Sequence, residues 1–162
     1  MTRPHFTIER VFPATLDEVW ELWTTRDGIE AWWGPDGFRV EVRTLELWPG
    51  GTLAYAMIAV APEMVAFMKA NGMPTVSEAR ATFTEVVPRR RLAYDHHTDF
   101  IPGVEPYQVA TSVDLHPLAD GVRMVLAFEA MHDDTWTQRQ RAGWEGEIGK
   151  LARLIEARRA QA

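Results

Sequence analysis

From Asp133 to Arg159 the chain carries one uninterrupted helical pattern, and this segment constrains the fold more than any other. Trp136, Gln140, Trp144, Ile148, Leu151 and Ile155 recur at three- and four-residue steps and therefore share one face. At 1.5 Å per residue such a helix is about 40 Å long. Most of the preceding chain, from Val40 to Met131, alternates instead with the period of strands. A long helix with one apolar stripe, following a run of strands, needs a broad sheet to lie on.

The strands read as an antiparallel set because the turns between them are short. His5 to Phe12 alternates, with Phe6, Ile8 and Phe12 on one face. Phe38, Val40 and Val42 alternate with Arg39, Glu41 and Arg43. Trp48-Pro49-Gly50-Gly51 makes a turn, and Leu53, Tyr55 and Met57 mark the returning strand. Ala81 to Val87 and Arg91 to Thr98 follow, joined across Pro88-Arg89-Arg90. Tyr107, Val109, Thr111, Val113 and Leu115 form a stripe. Asp120-Gly121 is a hairpin signal, after which Val122, Met124, Leu126 and Phe128 return. Between the first strand and the second lie two short helices. Thr15 and Glu18 form a capping box for the first, whose face is Leu16, Val19, Trp20 and Trp23. Asp27 is the expected cap of the second, which Gly34-Pro35 stops.

The expected class is therefore α+β: a curved antiparallel sheet of about seven strands around a long C-terminal helix, in one domain spanning 1–162. One segment departs from it. Residues 62–71, Pro62 to Asn71, read as a short helical insertion bracketed by Pro at its start and Asn-Gly at its end. Met64, Val65, Phe67 and Met68 make it apolar on more than one side.

Composition limits the function. A net charge of −6, with both signs mixed along the chain, argues against nucleic acid and against anionic membranes. The absence of cysteine excludes disulfides, thiol catalysis and thiolate metal sites, and suits a cytoplasmic protein. No apolar run approaches membrane-spanning length. No phosphate loop, nucleophile elbow or zinc-protease motif is present, and no cofactor is expected.

Local sequences along the chain resemble the bacterial proteins related to the C-terminal domain of the Hsp90 ATPase activator, within the START-like or SRPBCC superfamily. They are Phe12-Pro13-Ala14, Val19-Trp20, Trp32-Trp33-Gly34-Pro35, Trp48-Pro49-Gly50-Gly51, Glu85-Val86-Val87-Pro88 with Arg91-Leu92, and Gly143-Trp144, in the family's order. The resemblance implies the helix-grip fold, with an apolar cavity between sheet and helix, and a small apolar molecule or lipid as ligand. It leaves two other roles open: a cyclase- or dehydratase-like enzyme, and a partner of an Hsp90-type chaperone. The insertion looks longer than the family's usual loop.

Strand and helix parity then place Trp33, Tyr55, Met57, Tyr94, His96, Tyr107, Phe128, Trp136, Gln140 and Trp144 at the cavity, with Phe67 and Met68 as a lid. A homodimer contact is the other arrangement that would cover the insertion. His96 is the one candidate acid/base, with Tyr94 assisting; a satisfied, half-buried histidine is the plainer reading. Asp95, His97 and Asp99 share the outer face of their strand, where a solvated surface accounts for them, and no metal is assigned. Glu85, between apolar strand residues, reads as an exposed strand carboxylate, with a cavity carboxylate as the other reading. His5 and His116 sit on outer faces. Gly143 is expected to let the helix approach the sheet closely beside Trp144.

Overall fold

The computed structural model describes residues 3–161. Seven strands form one antiparallel sheet in the order β1-β7-β6-β5-β4-β3-β2. The strands are β1 (His5–Phe12), β2 (Phe38–Leu45), β3 (Thr52–Ala59), β4 (Val76–Val87), β5 (Arg91–Thr98), β6 (Tyr107–Leu118) and β7 (Gly121–Glu129). Six of them follow one another as a meander from β2 to β7. β1 returns to pair with β7, with His5 opposite Glu129 and Phe12 opposite Val122.

Helices α1 (Leu16–Thr24) and α2 (Arg26–Trp32) carry the chain from β1 to β2, the two edges of the sheet. The Thr15 capping box is present: Glu18 N–H donates to Thr15 Oγ1, and Thr15 N–H donates to the Glu18 carboxylate, each at 3.1 Å. Asp27 does not cap α2. That place falls to Thr25, whose Oγ1 accepts from Gly28 N–H at 3.0 Å. The two helices are too close for a further turn between them. Gly28 is required at this junction, because a Cβ there would lie 2.2 Å from the Glu21 carbonyl oxygen.

The last helix, α4 (Asp134–Ala160), lies along the concave face, with Asp133 as its N-cap. This is the helix-grip arrangement. Its stripe is not uniform. Ile148, Leu151 and Ile155 are fully buried, and the core they join holds Val19, Leu22, Trp23, Ile29 and Trp32 from α1 and α2. Trp136, Gln140 and Trp144, toward the N-terminus, are only half-buried. The C-terminal half of α4 therefore closes a solid core, and the N-terminal half stands over β3, β5 and β6 without filling the space beneath it. Gly143 does not bring the helix down: it is exposed, and a Cβ there would have nothing within 4 Å.

The insertion is helix α3 (Pro62–Ala70). Val60 and Ala61 N–H groups donate to the Gly37 carbonyl at 2.8 and 3.1 Å, which ties the start of α3 to the loop before β2. Met64 packs at that loop, and Met68, four residues on and so on the same face, is buried. Phe67 is 58% exposed. No helix among the described residues is long and apolar enough to cross a membrane.

Candidate functional site

The space under the N-terminal half of α4 is a cavity of about 300 Å³. Trp33 enters from the end of α2, Tyr55 from β3, Tyr94, His96 and Thr98 from β5, and Val109 and Thr111 from β6. Phe100 and Met131 come from loops, and Trp136, Arg139, Gln140, Trp144 and Glu147 from α4. The strand residues reach the cavity because they alternate onto the concave face. Tyr94 is opposite Thr111, and His96 opposite Val109, in the β5–β6 register.

Aromatic rings make up much of the wall. Trp33 and Tyr55 meet edge to face with centroids 5.3 Å apart, and Trp33 lies 6.3 Å from Tyr94. Trp144 is stacked on Phe128 at 6.3 Å and tilted against Trp23 at 6.1 Å. Trp136 and Phe100 stand at the mouth, 6.0 Å apart, with the Arg139 guanidinium 5.0 Å from the Trp136 ring.

The polar groups are few and specifically held. The Tyr55 hydroxyl and His96 Nε2 are hydrogen-bonded at 2.8 Å. Burial pushes the His96 imidazole down to about 4, with the neighbouring His97 acting in the same direction. His96 is therefore neutral across the physiological range. Burial, followed by the Glu147 charge, holds the Tyr55 phenol well above its ordinary value. Gln140 Nε2 donates to the Glu129 carbonyl at 3.1 Å, which fixes the orientation of the side-chain amide. Gln140 Oε1 and Trp33 Nε1 are buried and have no partner among the described residues.

Glu147 is the residue that periodicity did not single out. It lies on α4 one residue before the buried Ile148, and what exposure it keeps is toward the cavity. Gly34 N–H donates to its Oε1 at 2.9 Å, and Lys150 Nζ donates to the Gly34 carbonyl at 2.9 Å. Both polar groups of one residue in the Trp33-Gly34 turn are thus held by side chains one helical turn apart on α4. Gly34 has φ +94°, a conformation natural to glycine. Burial raises the Glu147 carboxyl to about 7, opposed by the Gly34 N–H and the Lys150 ammonium. Along the chain it sits between Glu145 and Lys150 and reads as an ordinary surface glutamate until the turn after α2 is placed beside it.

Of the residues expected at the cavity, Trp33, Tyr55, Tyr94, His96, Trp136, Gln140 and Trp144 come together there, and Met57, Phe67, Met68, Tyr107 and Phe128 do not. Met57 packs at the margin of the core on β3. Phe128 lies beneath the wall, fully buried between Phe6 and Trp144. The Tyr107 hydroxyl is bonded to His132 Nδ1 at 2.8 Å at the outer end of β6. Phe67 and Met68 do not cover the mouth, because α3 is tied to the Gly37 loop near the β2 edge. The partner of His96 is Tyr55 rather than Tyr94. On the outer face, His97 Nε2 bonds Thr82 Oγ1 at 2.9 Å and Asp99 pairs with Arg80 at 3.8 Å. Glu85 is on that face too, bonded to Arg91 Nε at 2.8 Å.

The family profile described as Activator of Hsp90 ATPase homolog 1-like protein matches residues 13–156. No curated protein sequence matches the chain. Among solved structures, a protein from Chromobacterium violaceum superposes with a TM-score of 0.77 at 22% identity, covering 94% of this chain and 96% of its own. An AHSA1-like protein from Aeromonas hydrophila gives 0.74 at 22% identity, with coverage of 95% and 93%. A protein from Arthrobacter aurescens gives 0.72 at 24%, with coverage of 98% and 87%. At these identities the likeness is one of fold.

Proposed function

The chain belongs to the Activator of Hsp90 ATPase homolog 1-like family, and from that premise we propose that it binds a small, largely aromatic or apolar molecule in the cavity under α4. One observation carries the reading: a single helix seals a solid core along one half and leaves about 300 Å³, walled by aromatic rings, under the other. That volume is at the lower end of the range for small-molecule sites, roughly 300–1,000 Å³. Well-packed interiors leave few voids of this size.

The test uses the neutral dye N-phenyl-1-naphthylamine and a variant that fills the space from a position already buried. Val109, 4% exposed, lines the cavity from β6. Val109→Phe is expected to abolish dye uptake while the protein still melts cooperatively. Wild-type protein that takes up no dye, or a filled variant that takes it up undiminished, would refute the proposal.

The enzymatic alternative through His96 has less support. An imidazole held near 4 and engaged by the Tyr55 hydroxyl is a weak acid–base group at neutral pH. Partnership with an Hsp90-type chaperone has the family description as its only support.

A further inference from the structure

Glu147 is the charged group set deepest in a cavity otherwise suited to apolar molecules, and its contacts account for only half of its carboxyl. Oε1 is used by the Gly34 N–H. Among the described residues, the other oxygen accepts no hydrogen bond, and no cation lies within ion-pair distance of the carboxyl. Lys150 is turned to the Gly34 carbonyl instead. A carboxyl needed only to hold the Gly34 turn could be an amide, which offers the same acceptor without the cost of burying a charge.

The groups that face Glu147 are few. From the turn after α2 comes the Gly34 N–H; from β3 and β5 the Tyr55 and Tyr94 phenols, both un-ionised; from α4 itself Lys150. His96 shares the cavity as a neutral imidazole, and Arg139 stands exposed at the mouth over Trp136. Among the described residues the cavity lining therefore holds one acidic group, Glu147, and one basic group, Arg139 at the mouth; Lys150 acts on the carboxyl from outside the lining, bonded to the Gly34 carbonyl. The cavity walls, Trp33, Tyr55, Tyr94 and Trp144, are rings whose faces attract cations. Arg139 could meet an anionic ligand only at the exposed mouth, where an ion pair is worth little.

We propose that the cavity selects a ligand carrying a basic nitrogen, an aliphatic amine on an aromatic or alicyclic body, with the ammonium N–H donated to the free oxygen of Glu147. This rests on the small-molecule reading above and narrows its ligand class. The carboxyl is then a recognition group. Because it titrates near 7, an ammonium beside it draws it into the charged form, and binding releases a proton wherever the free carboxyl is protonated.

Three ligands of one shape separate the outcomes by titration calorimetry: tryptamine, the uncharged 3-propylindole and anionic indole-3-acetate. At about pH 8 tryptamine is expected to bind at least about tenfold more tightly than 3-propylindole. The advantage should shrink toward about pH 5.5, where the carboxyl is protonated, and the heat should vary with buffer ionisation as a proton is released. Glu147→Gln keeps the acceptor for Gly34 and should bring the ratio of tryptamine to 3-propylindole affinity to within about twofold of one. Equal or tighter binding of 3-propylindole or indole-3-acetate overturns the amine assignment and leaves the apolar cavity standing. So does an amine preference that survives Glu147→Gln. Failure of all three ligands in a protein that takes up the naphthylamine dye overturns this inference alone; failure of the dye as well overturns both.

Discussion

Two side chains in the cavity are shifted in opposite directions by burial, so their contributions to stability vary with pH in opposite senses. Glu147 is raised to about 7 from an ordinary 4.5, so the unfolded chain gives up this proton before the folded one does. Its contribution is greatest below about pH 4.5 and declines as pH rises to 7. His96 is lowered to about 4 from 6.5, so the unfolded chain takes up the proton first. Its contribution is complete above 6.5 and is lost as pH falls to 4. Between 4.5 and 6.5 the two slopes oppose each other. Glu147→Gln should therefore stabilise the protein relative to wild type by an amount that grows from about pH 4.5 to pH 7, on the order of 3 kcal/mol in all. Chemical denaturation at a series of pH values checks this. A difference from wild type that does not change with pH would mean the carboxyl is not held in its protonated form by burial.

Within elements, α4 and α3 each divide into a side that folds the protein and a side that does not. Leu151 is fully buried in the solid half of α4, and Leu151→Ala should cost about 2–5 kcal/mol. Trp136 stands at the hollow end, half-buried beside Phe100. Trp136→Ala should cost less than Leu151→Ala while weakening dye uptake more. Thermal melts and dye titrations on the two variants compare these directly. On α3, Phe67→Ala should change stability by no more than about 0.5 kcal/mol, the range for exposed positions, and should leave dye uptake unaltered. Met68→Ala, which empties the buried side, should cost about 2 kcal/mol. Lost dye uptake in the Phe67 variant would place α3 over the mouth after all.

At the scale of the molecule, the grip is closed by β1. The meander from β2 to β7 is built of sequential hairpins, whereas β1 pairs with β7 across more than a hundred residues of chain. α1 and α2 span the sheet because β1 and β2 are its opposite edges. Gly121 opens β7 against the end of β1, and a Cβ there would lie 2.3 Å from the Phe12 carbonyl oxygen. Gly121→Ala should push the two strands apart at this end and cost about 1–3 kcal/mol. Hydrogen exchange should then show Val11 and Phe12 losing protection before β5 and β6. Uniform loss across the sheet would mean that β1 does not open separately.

The elements were legible in the sequence because each depends on local spacing. β1 begins and ends at the residues its alternation marks, and the Thr15 capping box and the Pro62 start of α3 are features of a few consecutive residues. The inward face of β5 follows from parity alone, which puts Tyr94 and His96 on the concave side. Parity does not say how far along a strand the filled core ends and the hollow begins. Phe128 and Tyr94 both face inward, yet one lies beneath the wall and the other forms it. Nor does apolar content show which surface a helix meets: it suggests α3 as a lid, whereas α3 is tied to the Gly37 loop and none of its residues lines the cavity. Glu147 shows the limit most plainly. Nothing in its neighbourhood along the chain distinguishes it from the other glutamates of a charged helix. Burial raises this carboxyl against the pull of the Gly34 N–H, 113 positions away in sequence, and only tertiary structure brings the two together.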